Sequence, residues 1–187
     1  MNNHFQRALV AVLVSTGLLI STVAFAHHQE PERENITTLL RAYDAFPKAT
    51  AFKSVAEDPR TVLLEIVADD SEPEIIRLQA LDALSLFPDA DVRQVFRKVV
   101  AESWDHSQAP RATHNAINGL MFGWGEAALD DVLPLLSHPD LQVRLTVVHA
   151  VGKSGGDAGR TALQAQLNDE KDPYVREAIQ IHAKSIR

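Results

Sequence analysis

Four arginines, Arg77, Arg111, Arg144 and Arg176, recur at spacings of 34, 33 and 32 residues. Each follows a polar or proline-containing stretch and opens an apolar pattern with helical spacing. A self-similar period of this length marks a repeat architecture, in which one unit cannot bury its apolar face alone and stacks on its neighbours. No run of alternating apolar and polar residues is present, so the expected fold is all-α. Such a stack offers a surface for holding something.

The units can be followed along the chain. Ser71-Glu72-Pro73-Glu74 has the form of a capping box, and Ile75, Leu78, Leu81 and Leu84 then mark one helical face. Val92, Val95, Phe96, Val99 and Val100 follow at i, i+3, i+4, i+7 and i+8, the spacing of an amphipathic helix over Asp91 to Glu102. Pro110-Arg111 opens the next helix, with Ala116, Ile117 and Leu120. Its partner holds Ala127, Leu129, Val132, Leu133, Leu135 and Leu136, and Pro134 is expected to bend it. Ser137-His138-Pro139-Asp140 starts a further pair, with Gly152, Gly155 and Gly156 at its turn. Asp172-Pro173 opens a closing helix with Val175, Ala178, Ile179 and Ile186 pointing inward. Upstream, Asp58-Pro59 caps a helix with Val62, Leu63, Ile66 and Val67. Ile36 to Phe46 would be its first helix, and Pro47 to Lys53 a loose connection. The expected divisions are a divergent unit over 35–70, a unit over 71–104, an irregular unit over 105–136, a unit over 137–169 and a closing helix over 170–187.

The segments "SEPEIIRLQALDALSLF", "HPDLQVRLTVVHAVGKSG" and "KDPYVREAIQIHA" resemble HEAT-like repeats of the short kind also found in phycobilisome lyases. The shared pattern is an acidic residue, a proline and a valine-arginine pair, then alanines and a leucine-glycine. The resemblance covers about residues 57–187. It implies a right-handed α-solenoid of about four helical hairpins and says little of function; the expected role is a non-catalytic scaffold that binds a protein partner. The unit "QAPRATHNAINGLMFG" departs from the pattern, with proline directly before arginine and its small residues shifted by one, and the last unit has His182 where alanine is expected. The resemblance does not carry lyase activity, because only the generic repeat is shared. In such repeats an arginine fork ties neighbouring units through a carboxylate and free helix-end carbonyls. Asp70 and Asp169 stand seven residues before Arg77 and Arg176 and are the expected partners.

Residues 1–26 are expected to lie outside this fold. A weakly basic start with Arg7 precedes an apolar run from Ala8 to about Val23, and Ala24-Phe25-Ala26 has the small-x-small form that signal peptidase cuts after. The alternative is an uncleaved anchor, since the run approaches spanning length; both readings export the remainder to the periplasm or beyond. Cleavage after Ala26 leaves a polar start over 27–34, expected to be disordered, and 17 basic against 25 acidic residues, a net charge of −8. That charge argues against nucleic acid and anionic lipid as partners, and no membrane span remains after cleavage. The chain has no cysteine, so its stability rests on packing rather than on disulfides.

Candidate contacts lie on residues that differ between units. Arg93, Arg97 and Lys98 form a basic face on one helix, while Glu126, Asp130 and Asp131 face outward in the next unit. Together they make a mixed-sign surface suited to a protein partner. Trp104 and Trp124 fall near turns, either as interface anchors or as packing over a repeat junction. His27 at a new amino terminus, with His28, offers a low-priority copper or zinc site. His149 and His182, five and six residues past their arginines, are placed to stack in neighbouring repeats. No thiol nucleophile, serine elbow, phosphate loop or zinc motif is found, so no enzyme activity and no cofactor are expected. The alternatives are a metal-handling protein or a regulatory subunit of an envelope enzyme.

Overall fold

The structure is a computed structural model and describes residues 30–41, 47–105 and 111–184. The leader over 1–26, His27 and His28, the tail of the expected first helix near Phe46, and Ile186 lie outside these residues. Every regular element among the described residues is helical. None of these helices is long and apolar enough to cross a membrane.

Helix α1 covers residues 30–40. The polar stretch expected to be disordered is therefore helical from residue 30. Proline at the second helical position and acidic side chains in the first turn suit a helix start, and Ile36 and Leu40 supply a buried face. The expected loose connection over Pro47 to Lys53 contains a short helix, α2 (Ala49–Lys53), which buries Phe52 completely. Helix α3 (Pro59–Ala68) starts where Asp58 accepts the Thr61 backbone N–H at 3.2 Å and the Thr61 hydroxyl at 2.6 Å.

Two compact units are present, Met1–Val62 and Leu63–Arg187, and the division falls inside α3. The expected repeat over 35–70 spans it. In the first unit, Ile36, Leu40, Phe52, Ala56 and Val62 form the buried core, and the Glu57 N–H donates to Glu32 Oε1 at 3.2 Å.

The second unit contains α4 (Glu74–Leu84), α5 (Ala90–Glu102), α6 (Arg111–Trp124), α7 (Leu129–Val132), α8 (Leu141–Ser154), α9 (Gly156–Gln166) and α10 (Pro173–His182). Helix α6 packs on α4 and α8, and α8 packs on α10, so α4, α6, α8 and α10 make one layer. Helix α5 lies against α6, and α9 against α8 and α10. Carboxylate caps fix three of these starts: Asp89 accepts from Val92 N–H, Asp140 from Gln142 N–H, and Asp172 from Tyr174 and Val175 N–H. Each such cap contributes roughly 1 kcal/mol.

Five local expectations are corrected. The Ser71 capping box is absent: the helix starts after Pro73, and both the Ser71 hydroxyl and its N–H donate to Asp69 Oδ1 in the preceding turn. The buried stripe of this helix takes in Ile76, and Ile75 is 47% exposed. The partner helix of α6 is broken rather than bent. It runs as a 3₁₀ turn (Gly125–Ala128), the short α7, and a second 3₁₀ turn (Leu133–Ser137). Pro134 has no N–H to donate to the preceding turn, and Ala128, not Ala127, is buried. Finally, Gly152 lies within α8, and the turn is made by Gly155 and by Gly156 at φ 58°.

Candidate functional site

The repeated arginines sit at unit junctions. Arg77 Nη1 donates to Asp70 Oδ1 at 2.6 Å. Arg144 makes the fullest set of bonds: Nε and Nη2 donate to the two carboxylate oxygens of Glu170 at 2.9 and 3.4 Å, and Nη1 to the carbonyls of His138 and Pro139. The two side chains are 15% and 6% exposed. Glu170 also accepts the backbone N–H groups of Lys171 and Asp172. Burial alone would raise its pKa, but these backbone donors and the Arg144 guanidinium hold it below the ordinary carboxylate value. Arg176 Nη1 donates to the carbonyls of Leu167 and Glu170, closing the end of the α9 segment. Asp169 is exposed and is not its partner; the buried acid at this junction is the next residue, Glu170, and it belongs to Arg144. Arg111 is exposed at the start of α6.

The basic face expected on α5 is not free. Arg93 Nε and Arg97 Nε donate to the two oxygens of Asp131 at 2.8 and 2.7 Å, and Asp131 is 8% exposed. Arg93 Nη2 also donates to the Ala127 carbonyl, and its guanidinium lies 5.9 Å from the Trp124 ring centroid. Trp124 in turn meets Phe96 edge-on, with ring centroids 6.1 Å apart. Phe96 is fully buried because Gly119 leaves room for it: a Cβ there would stand 2.7 Å from the ring. Arg93, Arg97, Trp124 and Asp131 therefore form a joint between units, not the mixed-sign docking surface the sequence suggests. Lys98 alone of the three basic residues stays open, 75% exposed with Glu102 at 3.9 Å.

Trp104 is 45% exposed and lies over His138, with ring centroids 4.9 Å apart. His138 is buried, its Nδ1 accepting the Asp140 N–H at 3.0 Å and its Nε2 lying 3.3 Å from the Ser103 carbonyl. This network assigns the neutral tautomer with the proton on Nε2, donating to Ser103. Trp104 covers a polar junction and keeps part of its ring outside.

An open groove remains, and sequence reasoning missed it. About 530 Å³ in volume, it lies between the C-terminal part of α3, α4 and α5. Its walls include Leu64, Val67, Leu78, Leu81, Val95 and Val99, and its rim carries Asp70, Glu74, Arg77, Lys98 and Glu102. Val95 and Val99 were assigned to the core by their spacing. Only Val92, Phe96 and Val100 of that stripe are buried, which leaves the two remaining valines to line the groove. The one sequence signal was the breadth of the stripe, five apolar positions where three fill the core. No cluster of three or more metal-ligating side chains occurs among the described residues.

Compared with known families, residues 105–182 match the family model of HEAT repeats. The match covers under half of the chain; the units upstream of residue 105 lie outside it. No curated protein and no solved structure matches the chain.

Proposed function

We propose that this chain is an exported, non-catalytic repeat scaffold that binds a protein partner, with the α3–α4–α5 groove as the contact surface. HEAT repeats are commonly protein-interaction scaffolds and generally non-catalytic, which supports the class. The observation that carries the choice of surface is the groove itself. Its volume lies within the about 300–1,000 Å³ typical of binding clefts, and its walls are aliphatic while its rim carries both signs of charge. The aromatic and basic residues that otherwise compete for the role, Trp124, Arg93 and Arg97, are engaged in a joint. The apolar run and Ala24-Phe25-Ala26 support export, with cleavage after Ala26.

A photo-crosslinking residue at Val99 in the full chain, expressed in its native envelope, should give a discrete adduct. That adduct should disappear in a Val95→Glu background. An adduct pattern unchanged by Val95→Glu, or no adduct at all, refutes the groove reading. Intact-mass analysis of the exported chain should find His27 as the first residue; a chain retaining Met1 contradicts cleavage.

A further inference from the structure

Two imidazoles face each other where α8 meets α10. His149 Nδ1 and His182 Nε2 are 2.9 Å apart. The ring centroids are 5.0 Å apart at an interplanar angle of 88°, so both nitrogens lie close to the line joining the rings. That is the geometry of an N–H···N hydrogen bond, in which one nitrogen donates and the other accepts. The arrangement is seated deliberately by its surroundings. Gly152, one turn after His149, has no side chain, and a Cβ there would stand 2.4 Å from His182 Cγ. The His182 ring therefore rests against the α8 backbone.

The bond tolerates one shared proton at most beyond the neutral state. When both rings are protonated, two N–H donors point at each other and two like charges stand within hydrogen-bond distance. No carboxylate among the described residues pairs with either ring to offset this. Of the charged groups on the packed elements, Arg144 bonds Glu170, Arg160 pairs with Asp157 and Arg176 donates to carbonyls, while α6 adds Arg111 at its start and His114. Lys153 on α8 and Lys184 just after α10 add only positive charge, and Glu177 on α10 is exposed.

We propose that His149 and His182 form an acid-released latch holding the C-terminal turn of α10 against α8. The two ends of α10 are held differently. Its start is fixed by the Asp172 cap and by Arg176, neither of which depends on histidine. Its end is held by the imidazole pair and by Gln164 Nε2 donating to the Ala183 carbonyl at 3.0 Å. Acid therefore loosens the end and spares the start, and it uncovers Ile179 and Ala183, both buried when the latch is closed. The direction agrees with the His182 pKa, which burial lowers first and the His149 charge lowers further from the ordinary 6.5. An unfolded chain takes up that proton more readily than the folded one. The latch is thus complete above about pH 6.5 and weakens as pH falls through and below that value.

Amide hydrogen exchange on the full mature chain at pH 7.5 and pH 5.0, corrected for intrinsic rates, tests this. Protection over residues 179–184 should fall by about fivefold in acid, the factor that accompanies loss of one net hydrogen bond. Protection over residues 173–176 should stay within twofold. His182→Gln and His149→Gln should each abolish the acid step, since glutamine keeps a hydrogen-bonding amide without titrating. No acid step in the native chain, or a step that persists in both variants, overturns the latch. Should the variants unfold, ¹⁵N titration of the native histidine rings decides. His182 is expected to titrate below the ordinary imidazole value, and an unshifted His182 curve overturns the proposal.

Discussion

Replacing Arg144 by alanine removes four donated hydrogen bonds at one junction and leaves Glu170 stranded. Glu170 is 6% exposed, and in the variant it keeps only the Lys171 and Asp172 N–H donors. Breaking a buried ion pair on one side costs about 3–5 kcal/mol, because a charge is left uncompensated. The two surviving backbone donors place this case at the lower end, about 3 kcal/mol. For a chain of this length each kcal/mol moves the Tm by about 2–4 °C, so the expected loss is about 6–12 °C. The assay is thermal unfolding followed by circular dichroism at 222 nm, at pH 7. Adding Glu170→Gln to Arg144→Ala removes the stranded charge and should recover about 1–2 kcal/mol, a coupling read from a double-mutant cycle. The pH dependence gives a further arm. The Glu170 pKa is lowered in the fold from 4.5, so its contribution is full above that value and is lost as pH falls through the folded pKa. Arg144→Ala should shrink this acid loss. A Tm change under 2 °C, or a double variant less stable than the sum of the singles, refutes the reading of Arg144 as the tie between units.

Asp82 on α4 is half-buried, and desolvation raises its pKa from 3.8 to about 6. Stability is therefore highest below pH 3.8 as far as this group is concerned, and is lost as pH rises through about 6. The full shift corresponds to about 3 kcal/mol, and solvent screening of a partly exposed group reduces this to about 1 kcal/mol. Asp82→Asn should raise the Tm at pH 7.5 and leave it unchanged near pH 4; a destabilised variant at pH 7.5 contradicts this. Arg93→Ala should cost about 1–2 kcal/mol and shift Trp124 emission, while the more exposed Arg97→Ala costs under about 1 kcal/mol; urea unfolding monitored by fluorescence ranks them, and equal costs count against the argument. Gly119→Ala gains roughly 1 kcal/mol of helix propensity but drives a Cβ into the Phe96 ring, and overpacking of about 1–3 kcal/mol should win. A more stable Gly119→Ala chain shows that Phe96 can move aside.

The turns that open the helices were legible in the sequence. Helices α5, α8 and α10 start where Asp89, Asp140 and Asp172 place them, and the meeting of His149 and His182 follows from their offsets past Arg144 and Arg176, although the rings meet edge-on rather than stacked. Legibility failed where two local signals competed. Ser71 has the cap chemistry, but Pro73 delays the helix and Asp69 claims the hydroxyl. It failed also for Arg93 and Arg97. Their outward position on α5 was readable, but whether Asp131 reaches them depends on how far one unit rotates against the next, which no single helix pattern encodes. The groove was hidden for a related reason: the valines that line it have the same spacing as the valines that fill the core.

The side-chain bonds between neighbouring units join residues about one repeat apart in the chain. Arg97 and Asp131 are separated by 34 positions, Ser103 and His138 by 35, Leu78 and Asn115 by 37, and His149 and His182 by 33. The ties between units close loops of moderate length, from 26 positions for Arg144 and Glu170 to 38 for Arg93 and Asp131, so no junction waits on the ends of the chain meeting. Folding can therefore start at any hairpin and spread to its neighbour, with each added unit repaying its own ordering. The same spacing makes length an adjustable property: duplicating or removing one internal unit of the stack disturbs only the junctions on either side of it and leaves the more distant ties in register.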